Sequence, residues 1–199
     1  MNSKNLIIAL LTAAVLLLSL TLYFLNENIK TENSKRQLSG HIATLSVKEF
    51  SFDLNKTMTG RKATDVVCIT RDDDEKYLSE LINEKPVLIY RYTQAGCLPC
   101  YKEQIRLLQK VFQDTPERVA ILSSYSERLS FLISVRDRSL GLPIYRISFD
   151  AFDWQLEEIG IPYFFVLHPC LRISNIFVPN KHKPELTIRY LESIKRLLQ

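Results

Sequence analysis

Residues 85–108 read KPVLIYRYTQAGCLPCYKEQIRLL, and this stretch decides the fold. Its first part, Pro86 to Tyr92, is rich in β-branched and aromatic residues and is typical of a buried strand. The turn Thr93-Gln94-Ala95-Gly96 follows, and from Cys97 onward the apolar residues recur at helical spacing. They are Ile105, Leu108, Val111 and Phe112. The stretch therefore predicts a strand, a turn and a helix, with Cys97 at the helix N-terminus.

The rest of the chain repeats this alternation. Further strands are predicted at residues 66–69, 118–123, 143–148, 163–167 and 172–178. Further helices are predicted at residues 73–82, 126–138, 152–159 and 184–198. This order favours an α/β sandwich about a central sheet. The last two strands are joined by only a few residues and must pair antiparallel, which makes the sheet mixed.

The N-terminus carries one long apolar run. Residues 6–25 read LIIALLTAAVLLLSLTLYFL, without a charge. About 20 residues at ~1.5 Å each span ~30 Å, the thickness of the hydrocarbon layer. A cleaved signal peptide is the competing interpretation, but its apolar part has only ~7–15 residues and a small-x-small cleavage site should follow. No such site follows Leu25, so we expect one uncleaved transmembrane helix.

The composition shift after this run suggests three segments. Residues 1–28 are the predicted membrane anchor, residues 29–64 a linker with one or two weak strands between Ile42 and Leu54, and residues 65–199 the folded domain. The balance of basic residues flanking the run, taken alone, favours a cytoplasmic domain. A very short tail before an apolar run is nevertheless typical of a secretory start. We therefore predict a single-pass protein whose domain faces the periplasm or the cell exterior.

Charge and cysteine content exclude other classes. The formal net charge is only +4 and no block of Lys and Arg occurs, so nucleic-acid binding is not expected. Four cysteines are too few for a disulfide scaffold in a chain of 199 residues. Two of them form Cys97-Leu98-Pro99-Cys100, and this pair needs its own explanation.

A C-x-x-C pair serves either redox chemistry or zinc. A zinc site needs a second pair of ligands at fixed spacing, whereas the other cysteines and all three histidines stand singly. At a helix N-terminus the unpaired amides and the macrodipole lower a thiol pKa from about 8.5. Cys100 lies one turn after Cys97, within reach to close a disulfide, and Pro99 limits the loop between them. We therefore predict a redox-active disulfide with no metal and no bound cofactor.

Three features together resemble the thioredoxin superfamily, most closely the membrane-anchored TlpA/ResA-like thiol-disulfide oxidoreductases. They are C-x-P-C on a strand-to-helix turn, Glu103 three residues after Cys100, and Ile161-Pro162 before a strand. An extra βα unit between residues 124 and 159 fits this subfamily better than minimal thioredoxin. The resemblance covers residues 65–199 and implies a thioredoxin-like three-layer sandwich with a central mixed sheet.

The resemblance also implies a mechanism. The Cys97 thiolate would attack a protein disulfide and Cys100 would resolve the mixed disulfide. Glu103 would help to move the Cys100 proton, provided that it is buried enough to hold a raised pKa. A cis Ile161-Pro162 bond would present backbone to the substrate. The implied partners are thiols and disulfides of exported proteins, with a membrane protein as electron donor for a reductase.

The sequence also departs from the family. Arg91, Thr93 and Gly96 stand where thioredoxins place an acid and aromatic residues before the motif. Arg91 would either favour the thiolates and tune the redox pair together with Pro99, or snorkel to the sheet edge, which is the simpler expectation. A membrane-anchored binding or docking module that turns over little is the alternative function.

Overall fold

The computed structural model describes residues 19, 21, 23, 47–82, 84–94, 98–136 and 141–199. The chain divides into two compact units, Met1–Thr44 and Leu45–Gln199. In the first unit the three described residues are helical. Apart from them, the predicted anchor at residues 6–25 lies outside the described residues. No helix within the described part of the chain combines the length and the apolar character needed to cross a membrane.

The second unit is a mixed sheet with helices on both faces. Its strands are β1 (Val67–Ile69), β2 (Glu75–Tyr77), β3 (Val87–Thr93), β4 (Val119–Ser124), β5 (Ile144–Arg146), β6 (Tyr163–Leu167) and β7 (Ile173–Phe177). Its helices are α1 (Val47–Met58), α2 (Leu98–Phe112), α3 (Arg128–Arg136), α4 (Gln155–Ile159) and α5 (Pro184–Leu198). The strand order is β2-β1-β5-β4-β3-β6-β7. Strands β3, β4 and β5 are parallel, and β6 and β7 are antiparallel to their neighbours. The predicted α/β class with a central mixed sheet is confirmed.

Strand β3 is the centre of this sheet. Its seven residues are all buried, and β4 and β6 pair with its two edges. Alternate side chains enter opposite layers: Leu88 and Tyr90 join a core cluster with α2, α3 and α5, whereas Val87 and Ile89 join one with α1 and α4. Burial on both faces explains why this strand reads as a continuous apolar run. Burial of each such side chain contributes about 1.5–3 kcal/mol to the free energy of folding.

The predicted weak strands between Ile42 and Leu54 are wrong from residue 47 onward, where α1 forms instead. Leu54 and Met58, one helical turn apart, are both buried in the core. Asn55 ties the helix to β7: its side-chain amide donates to the Ile176 carbonyl (2.5 Å) and its Oδ1 accepts from the Ile176 amide (2.6 Å). This helix belongs to the compact unit Leu45–Gln199.

The predicted helix at residues 73–82 is also wrong. Thr70 Oγ1 accepts hydrogen bonds from the backbone N–H groups of Asp72 (3.3 Å) and Asp74 (3.0 Å). Asp73, between them, adopts a left-handed φ of 66°. These contacts make the acidic run a turn between β1 and β2, because a hydroxyl that binds nearby amides competes with helix formation. Only Leu78–Leu81 is helical, as a 3₁₀ turn.

Candidate functional site at the carboxyl edge of the central strands

The cysteine motif joins the central strand to α2. Strand β3 ends at Thr93, and α2 begins at Leu98, so that Pro99 and Cys100 lie in its first turn. Cys97 lies outside the described residues, and it directly precedes Leu98 in the sequence. The predicted buried strand before the motif and the predicted helix from the motif onward are confirmed, and the turn residues 95–96 also lie outside the described residues.

Three other segments reach the same edge of the sheet. The carboxyl ends of parallel strands lie at one edge, so the residues that follow β4 and β5 lie at the same edge of the sheet as the end of β3. Gln94, which follows β3, connects the motif strand to the segment after β4. Its backbone amide donates to the Ser124 carbonyl (2.8 Å), and its Oε1 accepts from the Ser126 amide (3.0 Å). Strand β6 begins at this edge, where Tyr163 pairs with Arg91.

The segment 160–162 enters β6 from α4. Gly160 ends α4 in a left-handed conformation (φ 69°), and its amide donates to the carbonyls of Leu156 and Glu157, both at 3.1 Å. A side chain at this φ would be strained. A Cβ at Gly160 would lie 3.5 Å from Thr93 Oγ1, so this segment comes close to the end of the motif strand.

The expected cis bond at Ile161-Pro162 is wrong, because the described residues contain no cis peptide bond. Trans is favoured by about 0.5–1 kcal/mol before proline, and a cis bond typically serves a tight turn. Here the left-handed Gly160 ends α4 directly before this segment, and the bond before Pro162 is trans. Ile161 and Pro162 are both partly exposed and accessible at the edge.

Arg91 does not snorkel to the sheet edge, because β3 is paired on both sides and offers no edge. Its side chain is 0% exposed. Nε donates to Glu157 Oε1 (2.9 Å) and Nη2 to Glu157 Oε2 (2.5 Å), a bidentate pair. Nη1 donates to the Tyr92 carbonyl (2.7 Å) and Nη2 also to Ser124 Oγ (2.8 Å). The charge that the sequence places in an apolar strand is therefore neutralised by a partner 66 residues away.

Two further contacts extend this buried network. Tyr163 Oη donates to Glu157 Oε1 (2.5 Å), and Ser124 Oγ donates to the Ser148 carbonyl (2.8 Å). Burial and the neighbouring Glu157 carboxylate raise the pKa of Tyr163 well above its ordinary value, so the phenol remains a donor. Sequence analysis missed Glu157, Tyr163 and Ser124. The signal available was Arg91 itself, since a buried guanidinium needs a buried acceptor.

Glu103 does not meet the condition set for proton transfer from Cys100. Its side chain is 43% exposed and receives two hydrogen bonds from Arg106 (3.0 and 2.8 Å). The hydrogen bond from Arg106 lowers the pKa of Glu103, which is the opposite of the raised value expected. The inward polar residue is instead Gln104, which is buried and whose Oε1 has no hydrogen-bond partner in the described structure.

Aromatic side chains support α2 from beneath. Tyr101, the residue after Cys100, stacks on Tyr92 with ring centroids 4.5 Å apart and a 12° angle between the planes. Tyr125 meets Tyr92 edge-on at 6.3 Å. Such pairs add about 0.5–1.5 kcal/mol each to the energy of burial. They hold the first turn of α2 to the strand that precedes the motif.

The two cysteines outside the motif lie elsewhere. Cys68 is fully buried in β1, and burial raises the pKa of its thiol to about 12, so it remains protonated. Cys170 is exposed in the turn between β6 and β7, where its φ is 64°. Neither residue belongs to the edge that carries the motif.

The second unit resembles solved structures with the thioredoxin fold. The thioredoxin domain of a thiol-disulfide oxidoreductase from Bacteroides vulgatus is 18% identical; the match covers 71% of this chain and 98% of that one, with a TM-score of 0.53. A thiol:disulfide interchange protein from a Bacteroides species is 16% identical over 70% of this chain and 90% of that one, with a TM-score of 0.54. No protein-family model and no curated protein matches the sequence. At this identity the likeness establishes the fold, and the predicted thioredoxin-like fold is confirmed.

Loss of one partner of the Arg91–Glu157 pair should destabilise the protein more than loss of both. Arg91→Leu buries an unpaired carboxylate and Glu157→Leu an unpaired guanidinium, and each should cost about 3–5 kcal/mol in the free energy of unfolding. The double variant Arg91→Leu/Glu157→Leu should recover much of that loss, since apolar groups often replace a buried pair without penalty. Urea unfolding of the full chain measures all three values.

The exposed pair Glu103–Arg106 provides the matched control. Arg106→Leu should change the unfolding midpoint little, because exposed ion pairs contribute little to stability. If the losses in Arg91→Leu and Glu157→Leu simply add in the double variant, the two side chains are not coupled in the way described.

Proposed function

We propose that the chain is a thiol-disulfide oxidoreductase whose redox pair is Cys97 and Cys100. The observation that carries the proposal is the position of the motif: it links the central strand β3 of a thioredoxin fold to α2, and Cys100 lies in the first turn of that helix. At this position the helix N-terminus stabilises a thiolate on Cys97. The two similar structures, both described as proteins of thiol-disulfide chemistry, support the same activity.

The reaction proceeds in two exchange steps. The Cys97 thiolate attacks one sulfur of a client disulfide; that S–S bond breaks, a Cys97–client disulfide forms, and one client thiolate leaves. Cys100, as a thiolate, then attacks the Cys97 sulfur and expels the second client thiolate. The client gains two electrons and two protons, and the chain is left with a Cys97–Cys100 disulfide. A dithiol donor, which we propose to be a membrane protein, must reduce this disulfide before the next turnover.

The client would lie along the segment that contains Ile161 and Pro162. These residues are partly exposed, lie at the same edge as the motif and precede a strand, so an extended client segment has backbone beside which to align. We therefore propose that the substrates are protein disulfides and that the chain reduces them.

Trapping of intermediates tests the assigned roles. Cys100→Ser should accumulate mixed disulfides between Cys97 and clients, because no thiol remains to resolve them, and Cys97→Ser should accumulate none. The full chain, kept in mild detergent, should reduce insulin with dithiothreitol as donor, and both variants should lose that turnover.

The matched control is Cys170→Ser, which removes an exposed thiol outside the motif and should keep full turnover. A wild-type chain that binds client peptides but reduces no insulin would favour the docking module instead. Trapping by Cys97→Ser rather than by Cys100→Ser would reverse the assigned roles.

We expect the balance of charge between Arg91 and Glu157 to influence the reduction potential of the Cys97–Cys100 disulfide. Arg91→Leu removes a cation and leaves the Glu157 carboxylate, so the Cys97 thiol pKa should rise and the disulfide should become harder to reduce. Glu157→Gln should shift both quantities the opposite way. One unit of thiol pKa corresponds to about 1.4 kcal/mol, or ~30 mV for a two-electron couple. Equilibration with glutathione measures the potential, and alkylation rates against pH measure the thiol pKa.

Two variants control for effects other than charge at this position. The neutral double variant Arg91→Leu/Glu157→Leu should return close to the wild-type potential. Glu103→Gln should leave it unchanged, because that carboxylate is exposed and already paired. Wild-type potentials in both single variants would show that the buried pair only supports the fold.

We also propose that residues 6–25 anchor the chain, uncleaved, with the redox domain outside the cytoplasm. N-terminal sequencing of the mature protein should therefore find the residues before Leu25. In a Cys97→Ser/Cys100→Ser variant the exposed Cys170 reports the side of the membrane, since Cys68 is buried. A membrane-impermeant maleimide should label Cys170 in spheroplasts without lysis. Labelling only after lysis would place the domain in the cytoplasm, and a mature terminus beyond residue 25 would rule out the anchor.

A further inference from the structure

Glu157 and Tyr163 lie on either side of the segment 160–162 and are joined to each other. Tyr163 Oη donates to Glu157 Oε1 (2.5 Å), and this contact closes the chain between the two residues into a short loop. Arg91 then holds the same carboxylate from β3 through Nε (2.9 Å) and Nη2 (2.5 Å). The loop base is thus fixed to the strand that leads into the cysteine motif.

Ile161 packs against the core cluster that contains Val87 and Ile89, but within the described residues the backbone of the loop makes no hydrogen bond to β3. Pro162 has no N–H and cannot donate to the sheet ladder. The ladder between β3 and β6 begins only at Tyr163, and the Gly160 amide bonds back into α4 rather than across to β3. The three side chains Arg91, Glu157 and Tyr163 therefore supply the polar connection between the loop and the motif strand.

We infer that Glu157 and Tyr163 are positioning residues that hold the Ile161-Pro162 loop in the conformation that binds extended segments of protein clients. The inference rests on the proposed function and adds to it a determinant of substrate class. A loop fixed in advance does not lose conformational freedom when a client peptide aligns with it, so its affinity for peptides is higher. A small disulfide touches only the reacting sulfurs and gains nothing from the loop. The network should therefore matter for protein disulfides and not for small ones.

Tyr163→Phe tests the inference with the least disturbance. The variant removes only the hydroxyl, keeps the ring in its aromatic surroundings and leaves the Arg91–Glu157 pair intact. In the full chain the KM for insulin should rise roughly threefold to tenfold, which corresponds to the net contribution of one ordinary hydrogen bond. The kcat and the rate constant with dithiobis(nitrobenzoate), a small disulfide, should not change. Exchange of the Gly160 amide hydrogen should become faster.

Matched controls separate this effect from general loosening. Tyr190→Phe removes another buried hydroxyl, one that donates to the Asn175 carbonyl (2.6 Å) away from the loop, and should change none of these values. Glu157→Gln should also raise the KM for insulin, but unlike Tyr163→Phe it changes the charge near the motif and with it the rate with the small disulfide. Glu158→Gln, on the exposed neighbour, should change none of these values.

Three results would overturn the inference. One is an unchanged KM for insulin in Tyr163→Phe, and another is an equal loss with insulin and the small disulfide, which would mean that the network acts on the cysteines. The third is unchanged exchange at Gly160. If the wild-type chain reduces neither disulfide, the proposed function fails, and the exchange measurement alone decides: faster exchange in Tyr163→Phe but not in Tyr190→Phe supports the positioning role, and equal exchange refutes it.

Discussion

Arg91 carries a full positive charge within a central strand, and several segments at the edge where β3 ends contact it directly or through Glu157. A guanidinium taken out of water is stable only if hydrogen bonds and an opposite charge replace the lost hydration. The neighbouring strands supply no opposite charge, because the strands on both sides of β3 are buried and mostly apolar. The counter-ion Glu157 comes from α4, and a hydroxyl acceptor comes from Ser124 at the end of β4. Tyr163 of β6 donates to Glu157 in turn, so satisfying the charge brings these segments together.

The two faces of β3 consequently play different roles. On one face Tyr92 stacks on Tyr101 and fixes the first turn of α2 by aromatic packing. On the other face Arg91 fixes α4 and the segment that follows it through directional hydrogen bonds. Packing alone tolerates small displacements, whereas a bidentate ion pair specifies distance and angle. The polar face therefore fixes the position of the segment after α4 more closely than packing alone would.

Local patterns explain which parts of this arrangement the sequence predicts. Strand β6 and helix α5 were predicted with their observed bounds, because a buried strand and an amphipathic helix each produce a pattern of apolar residues within one short stretch of sequence. The motif's place between strand and helix was predicted for the same reason. The acidic run before Tyr77 was misjudged, since one threonine hydroxyl at Thr70 turns the chain. The Arg91–Glu157 contact spans 66 residues and leaves no local pattern in the sequence that would name its partner.

The ion pair also weakens the electric field that Arg91 exerts on its surroundings. A lone cation at residue 91 would favour the thiolate form and a strongly oxidising disulfide. Glu157, held at hydrogen-bonding distance, cancels most of that field beyond the pair, because opposite charges so close together act at longer range as a dipole. The N-terminus of α2, which begins at Leu98, is a second source of positive potential at this edge of the sheet. The guanidinium charge is therefore largely compensated at its own position, and its directional hydrogen bonds hold α4 and the residues that follow it to β3.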